Sequence, residues 1–367
     1  MTHLAATEIP RAFLWKGDHL ALLDQTRLPT EQHWLMLRNL EEVAEAIKML
    51  RVRGAPAIGV AGAYGAVLAI RNAWKDQSAE ASDWLNGFLE ITEALRQTRP
   101  TAVNLFHCMD RMDRVARVFV EDARGTESGM KRFDPAAAAE RLESEAVAIH
   151  REDEELCSRM GSHGAELIPD GARILTHCNT GAVATGGLGT ALGAIYTAHL
   201  SGKKIQVYAD ETRPLLQGGR ITAWELFEAG IPVKLITDSM AASVMADGKV
   251  DLIMVGADRI AANGDTANKI GTLGLGVLAK HFGIPMYVVA PTTTLDPALA
   301  SGQEIVIEER KADEVRQFQG QYSAPPEVDV FNPAFDVTPG EFISGIVTEL
   351  GVHRPPYDFR TLMAGKG

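Results

Sequence analysis

Cys178 stands in Thr176-His177-Cys178-Asn179-Thr180-Gly181, just past a β-branched run and ahead of a glycine-rich stretch (Gly186, Gly187, Gly189) that leads into a helix. Backbone N–H groups and a helix N-terminus lower a thiol's pKa and favour the thiolate, the form that does chemistry. The competing assignment is a small buried hydrophobe, the commonest role of the residue. Asp258, in Val255-Gly256-Ala257-Asp258-Arg259-Ile260, also follows an apolar run. A carboxyl screened from water there stays protonated near neutrality and serves as a general acid; otherwise it caps the next helix or pairs with Arg259. Asn268-Lys269 offers a point charge for phosphate and a neutral donor and acceptor for hydroxyls, or is merely a surface turn before a helix. Arg53-Gly54-Ala55 and Arg99 complete the set. Glycine lets the backbone approach an anion, the following helix presents its N-terminal N–H groups, and arginine adds a fork of donors. Each arginine taken alone also reads as a solvated surface charge. The run Glu211 to Arg220, with Gln217 and two glycines, has the mixed character of a binding loop or an interface loop.

The elements that must position these groups follow from periodicity. Short apolar runs recur at Arg173–His177, Lys204–Tyr208, Val233–Thr237, Leu252–Val255 and Met286–Ala290, each followed by polar or glycine-rich residues and a helical stretch. That alternation indicates βαβ units and a parallel sheet with helices on both faces. Ligands bind outside the carboxyl ends of such strands, near a topological switch point, which is where Cys178, Asp210 to Arg213, Asp238, Asp258 and Thr292 fall. Ahead of this region, Asn39 to Met49 has helical spacing and acidic residues early in the run. Arg51 to Val60 is a tight Gly/Pro segment opening a helix through Ile70, and 81–98 is a further helix. The stretch 136–162 forms a long linking helix. The expected fold class is α/β, with residues 1–135 as a mainly helical domain and 136–367 as the linking helix and the parallel-sheet domain.

A length of 367 residues exceeds one ordinary core, which suits two domains. The formal charge of −12 opposes binding to nucleic acid or an anionic membrane, though a phosphorylated small molecule is accommodated where a few cations converge. Cys108, Cys157 and Cys178 are too few for a disulfide framework and read as reduced cytosolic thiols, the first two in plain helical contexts. The N-terminal residues lack an apolar run suited to a signal peptide, and no stretch is apolar enough for a membrane span. No HxH, HExxH or CxxC occurs, the glycines at 187, 189 and 193 miss the dinucleotide spacing, and Walker and GxSxG sequences are missing. The expectation is side-chain chemistry without metal or cofactor.

Taken together, Arg53-Gly54-Ala55-Pro56-Ala57-Ile58-Gly59, Arg99-Pro100-Thr101-Ala102-Val103-Asn104-Leu105, Thr176 to Asn179, Tyr208 to Gly218, Gly256 to Ile260 and Asn263 to Gly271 resemble the methylthioribose-1-phosphate isomerase family. The resemblance runs from Leu22 to Pro339. It implies an N-terminal domain of helices with a small sheet, a Rossmann-like C-terminal domain, a cytoplasmic homodimer and a sugar-phosphate substrate. The implied reaction is cofactor-independent conversion of 5-methylthio-α-D-ribose 1-phosphate to 5-methylthio-D-ribulose 1-phosphate in methionine salvage. By matching motif, Cys178 and Asp258 are implied to be catalytic, and Arg53, Gly54, Ala55, Arg99, Gln217, Asn268 and Lys269 to bind substrate. Thr180 and Leu273 depart from the family's usual residues without touching an assigned role. The same superfamily holds ribose-1,5-bisphosphate isomerase and regulatory subunits of translation initiation factor 2B. The first keeps the chemistry with a different group at C5; the second keeps the fold without needing a catalytic pair.

Overall fold

A computed structural model describes residues 9–74, 80–100, 102–124, 133–318 and 320–364. Most of the N-terminal segment read for a signal peptide, and Thr101 of the second motif, lie outside the described residues. Among the described residues there are two compact units, Arg11–Glu155 with Ala182–Gly187, and Leu156–Gly181 with the chain from Leu188 onward, dividing inside the linking helix.

The first unit opens with a three-stranded antiparallel sheet, β1 (Phe13–Trp15), β2 (Leu20–Leu23) and β3 (Trp34–Leu37). Helices α1 (Leu40–Lys48), α2 (Ala55–Ala73), α3 (Ala81–Arg96) and α4 (Val103–Arg124) follow, then the beginning of α5 (Pro135–Glu166). The side chain of Asn39 caps α1 by accepting the Glu42 N–H at 2.9 Å, a contact worth about 1 kcal/mol. Helix α2 is buried on nearly every side because its small residues let neighbours close in. A Cβ at Gly62 would meet Leu105 at 2.5 Å, and one at Gly59 would meet Cys108 Sγ at 2.8 Å. Cys108 is thus a packing residue, and burial pushes its thiol up to about 12.

In the second unit, β4 (Arg173–Thr176), β5 (Gln206–Asp210), β6 (Val233–Ile236), β7 (Leu252–Val255) and β10 (Met286–Val289) reproduce the expected runs to within two residues at either end. Their sheet has seven strands because the chain adds β15 (Gly345–Thr348) and β16 (Gly351–His353). Its order is β16-β15-β10-β7-β4-β5-β6, parallel throughout except for β16. Helices α6 (Ala191–Leu200), α7 (Ala223–Glu228) and α8 (Ala241–Ala246) make the early crossovers, and α9 (Thr272–Phe282) precedes β10. Leu175, Ile253, Val255, Val288 and Ile346 from the strands pack with Met245 of α8 and with Leu275 and Ala279 of α9 in one buried core. Each such side chain contributes about 1.5–3 kcal/mol on burial.

A second sheet was not foreseen. The hairpin β8 (Arg259–Ala261) and β9 (Thr266–Lys269) pairs on one side with β11 (Leu295–Asp296) and on the other with β14 (Phe335–Thr338). A short hairpin of β12 (Gln317–Phe318) and β13 (Gln321–Tyr322) lies between them in sequence. Among the described residues no helix is long and apolar enough to cross a membrane.

Gly54 is the tightest point of the first unit. Its φ of 94° suits glycine, and an added Cβ would lie 2.1 Å from the backbone oxygen of Ala184. Gly54→Ala is expected to cost about 3 kcal/mol from combined strain and overpacking. Urea unfolding measures it, and a loss under about 0.5 kcal/mol would contradict the packing described.

Candidate active site

The sheet turns over between β4 and β7. From β4 the chain moves outward through β5 to β6, then returns to place β7 on β4's other flank and continues to β10 and β15. This is the switch point at which α/β sheets leave a crevice. Cys178 leaves the end of β4, and Asp258 leaves the end of β7. The register pairs Leu175 with Ile253, so the two residues come from neighbouring strand ends.

Cys178 is half-buried and held by its backbone. Its N–H donates to Thr212 Oγ1 at 2.8 Å, and its carbonyl accepts from Thr222 Oγ1 at 2.6 Å. Its φ is 63°, a left-handed value, as are those of Thr212 (65°) and Leu216 (59°). Such values in bulky or β-branched residues cost about 1–3 kcal/mol each and gather at functional sites. The glycine-rich stretch after Cys178 leads into a helix, as its residues predict. A tight turn, Ala182–Ala184, comes first, and α6 starts at Ala191. Thr180, one of the two departures from the family pattern, turns its hydroxyl to the N–H of Leu192 at 3.3 Å in that helix's first turn. Asn179 is buried and donates to Thr222 Oγ1 at 3.1 Å and to the buried Glu225.

Asp258 neither caps a helix nor pairs with Arg259. The next element is a strand, and Arg259 binds Asp296 at 3.1 Å. The Asp258 side chain is exposed, and desolvation by the protein packed around it pushes its carboxyl up to about 6 against the opposing charge of Lys269. Lys269 ends β9, where its Nζ donates to the Ala334 carbonyl at 2.7 Å and lies 4.5 Å from the centre of the Phe335 ring. Asn268 is buried in the same strand and donates to Thr272 Oγ1 at 3.1 Å. The pair is therefore part of a strand, not of a surface turn. Gln217 is buried ahead of a π-helical turn, Gly218–Thr222, and its Oε1 has no hydrogen-bond partner among the described residues. An added Cβ on Gly218 would lie 1.7 Å from the Asp210 carbonyl, so the turn requires glycine there.

Sequence reasoning gave no role to the groups behind these residues. His177 is buried, its Nδ1 2.9 Å from Asp210 Oδ2 and its Nε2 2.8 Å from the Ile270 carbonyl. Burial disfavours a charged ring, but the hydrogen bond and charge of Asp210, with Asp238 and the Ile270 carbonyl, outweigh it and hold His177 above its ordinary range. Asp238 accepts the Thr212 and Arg213 N–H groups, both at 2.8 Å. Asp336 accepts those of Gly271 at 2.7 Å and Leu273 at 3.0 Å at the start of α9. Single ligand-type atoms of His177, Asp210 and Asp238 lie within 4.8 Å of one another, but each residue is already engaged in these hydrogen bonds. The available signal was register: β4 pairs Thr176 with Ala209, which sets His177 opposite Asp210.

Arg53, Gly54, Ala55 and Arg99 lie in the other unit. Gly54 precedes α2 as its cap, Pro56 stands in the first turn, and Ala55 is exposed at the helix start. Arg99 occupies the turn between α3 and α4, its carbonyl accepting the Ala102 N–H at 3.0 Å. The segment Ala182–Gly187, continuous with the Cys178 loop, is gripped within this unit. Gln25 Nε2 donates to the Val183 carbonyl at 2.7 Å, the Gly186 N–H to Asp153 at 2.6 Å, and His150 Nε2 to the Gly186 carbonyl at 3.0 Å. The Tyr64 hydroxyl, 2.9 Å from His150 Nδ1, completes the chain of donors, and burial pushes the Asp153 carboxyl up to about 6.

Comparison with known proteins bears on these groups. The model of the initiation factor 2 subunit family matches residues 51–355. The methylthioribose-1-phosphate isomerase of Carboxydothermus hydrogenoformans is 52% identical over 354 residues, which cover 96% of this chain and 98% of that protein. The solved structure of 5-methylthioribose 1-phosphate isomerase from Pyrococcus horikoshii OT3 superposes with a TM-score of 0.89 at 43% identity, covering 98% of this chain and 96% of that one. A structure of the delta subunit of translation initiation factor eIF-2B from A. fulgidus reaches 0.85 at 43% identity, covering 96% and 99%.

The raised Asp258 carboxyl has a sign that can be measured. A folded-state value of about 6 against 3.8 unfolded means that stability is fully present below about 4 and is lost as pH rises through 6. Asp258→Asn mimics the protonated form. It should leave stability to unfolding unchanged near pH 4 and raise it above pH 6, by on the order of 1 kcal/mol once solvent access is discounted, read from urea unfolding at the two pH values. Equal effects at both pH values would remove the case for a protonated Asp258.

Proposed function

The chain belongs to the methylthioribose-1-phosphate isomerase family and to the initiation factor 2 subunit family, and from that premise we propose how it converts 5-methylthio-α-D-ribose 1-phosphate to 5-methylthio-D-ribulose 1-phosphate. It is an aldose–ketose isomerase. The observation that carries the mechanistic reading is the placement of Asp258 and Cys178 on either flank of the β4/β7 switch point.

The phosphate on C1 blocks the usual opening of the sugar to a free aldehyde, so ring opening must begin with protonation of the ring oxygen. Asp258 supplies that proton: a carboxyl raised to about 6 retains a protonated fraction near neutrality and can donate it. Hydrogen then moves from C2 to C1. In one route the Cys178 thiolate takes the C2 proton and an enolate forms. In the other a hydride shifts directly, and Cys178 stabilises the transition state. Lys269 and Asn268 present a cation and an amide beside the Asp258 strand end, and the unsatisfied Gln217 Oε1 suits a sugar hydroxyl. Arg53, Gly54, Ala55 and Arg99 are the proposed anion-binding residues of their own unit. We propose a cytoplasmic homodimer; the three free thiols support the first part, and the second rests on the family resemblance of the sequence motifs.

Purified protein should turn over 5-methylthioribose 1-phosphate, while Cys178→Ala and Asp258→Asn retain the fold and lose about 100- to 10,000-fold in kcat. Preference for ribose 1,5-bisphosphate would keep the site and change the substrate. Turnover of neither by folded protein would favour a binding role of the kind named for the A. fulgidus protein. In deuterated water the enolate route places deuterium at C1 of the product, an outcome incompatible with a strict hydride shift. In the hydride route, which needs no thiolate, kcat/KM must fall as pH rises above about 6, and a rising profile there without deuterium at C1 would remove Asp258 as the acid.

A further inference from the structure

With Asp210 ionised, His177 has a ring geometry that a neutral imidazole cannot satisfy. Nδ1 faces a carboxylate oxygen of Asp210 at 2.9 Å and Nε2 faces the Ile270 carbonyl at 2.8 Å, and both partners are acceptors. With one proton, whichever nitrogen lacks it points a lone pair at an oxygen inside a site that excludes water. Two N–H groups satisfy both contacts. The charges around the ring fit that state: Asp210 at the end of β5, Asp238 after β6 and Asp336 on β14 all act on it. The ring is also sterically fixed, since a Cβ on Gly271 would meet its Cε1 at 2.8 Å and its Nε2 at 2.9 Å.

The three tied elements all carry proposed site residues. His177 is the residue before Cys178; Asp210 precedes Thr212, whose hydroxyl holds the Cys178 N–H; and Ile270 follows Asn268 and Lys269. We propose that His177 is a doubly protonated positioning residue that sets Cys178 in register with Thr212 on one side and with the Asn268–Lys269 strand on the other. The inference rests on the functional reading given above for what these residues do. Its structural part, the two ring protons, is independent of any substrate.

The test uses the full chain labelled with 15N-histidine. Long-range proton–nitrogen correlation at pH 7.5 should show both nitrogens of His177 protonated, the signals being assigned by their loss in His177→Gln. An Nδ1 without its proton would overturn the proposal, and this also covers the case in which Asp210 holds the proton. Asp210→Asn removes the charge that retains the second proton. In that variant the ring should deprotonate within the ordinary range near 6.5, and kcat should fall about 100-fold with the same midpoint while KM changes less than about threefold. A kcat that stays level as the ring of Asp210→Asn loses its proton would overturn the positioning role. If the wild type turns over neither sugar phosphate, the functional reading fails, and the ring protonation of the wild type alone decides for or against this one. The same measurement decides should Asp210→Asn fail to fold, and His177→Asn supplies the assignment should His177→Gln fail.

Discussion

Strands β4 and β7 lie side by side, yet the chain leaves them in opposite directions, towards β5 and towards β10. The rest of the site depends on that divergence. It frees the residues just past each strand to face a ligand while the strands themselves stay locked in a buried parallel sheet. The ladder supplies precision that the loops alone lack. The register that aligns Thr176 with Ala209 puts His177 across from Asp210, and the hairpin after β7 returns Lys269 to within electrostatic reach of Asp258.

The arrangement is held at a cost in stability. Among the described residues, three of the four non-glycine positions with positive φ are Cys178, Thr212 and Leu216. Buried hydroxyls of Thr212 and Thr222 take up the Cys178 backbone, and carboxylates cover otherwise unpaired N–H groups at Thr212, Arg213, Gly271 and Leu273. A chain optimised only for stability would replace Asp258, whose carboxyl is partly desolvated, by a neutral residue and a left-handed Cys178 by glycine. Their presence marks the places where stability and chemistry diverge.

Much of this was legible in the sequence. The β-branched runs of the parallel sheet announced themselves because fully buried strands are continuously apolar, and their carboxyl ends pointed to Cys178 and Asp258. Strands β8, β9 and β14 escaped because they carry polar side chains on a small sheet and so lack a continuous apolar run. The Asn263-Gly264 pair, with Gly264 at a φ of 84°, was the hairpin signal that could have revealed the first two. Strands β15 and β16 each open on a glycine, which reads in the sequence as a turn and masks the short apolar run. The charge network around His177 was hidden for a different reason: its partners come from positions 210, 238, 270 and 336, and only folding brings them to one ring.

Chain continuity adds one more consequence. The segment Ala182–Gly187 belongs to the compact unit of Arg11–Glu155, although the sequence on both sides of it belongs to the other. One cut in the gene therefore cannot separate the units, and one recombination crossover near the α5 junction cannot exchange them intact. A hybrid built that way would bring its Gln25, Gly54, His150 and Asp153 from one parent and the backbone they grip from another. The two halves must then be inherited as a matched pair, and drift on either side of the grip is constrained by the other.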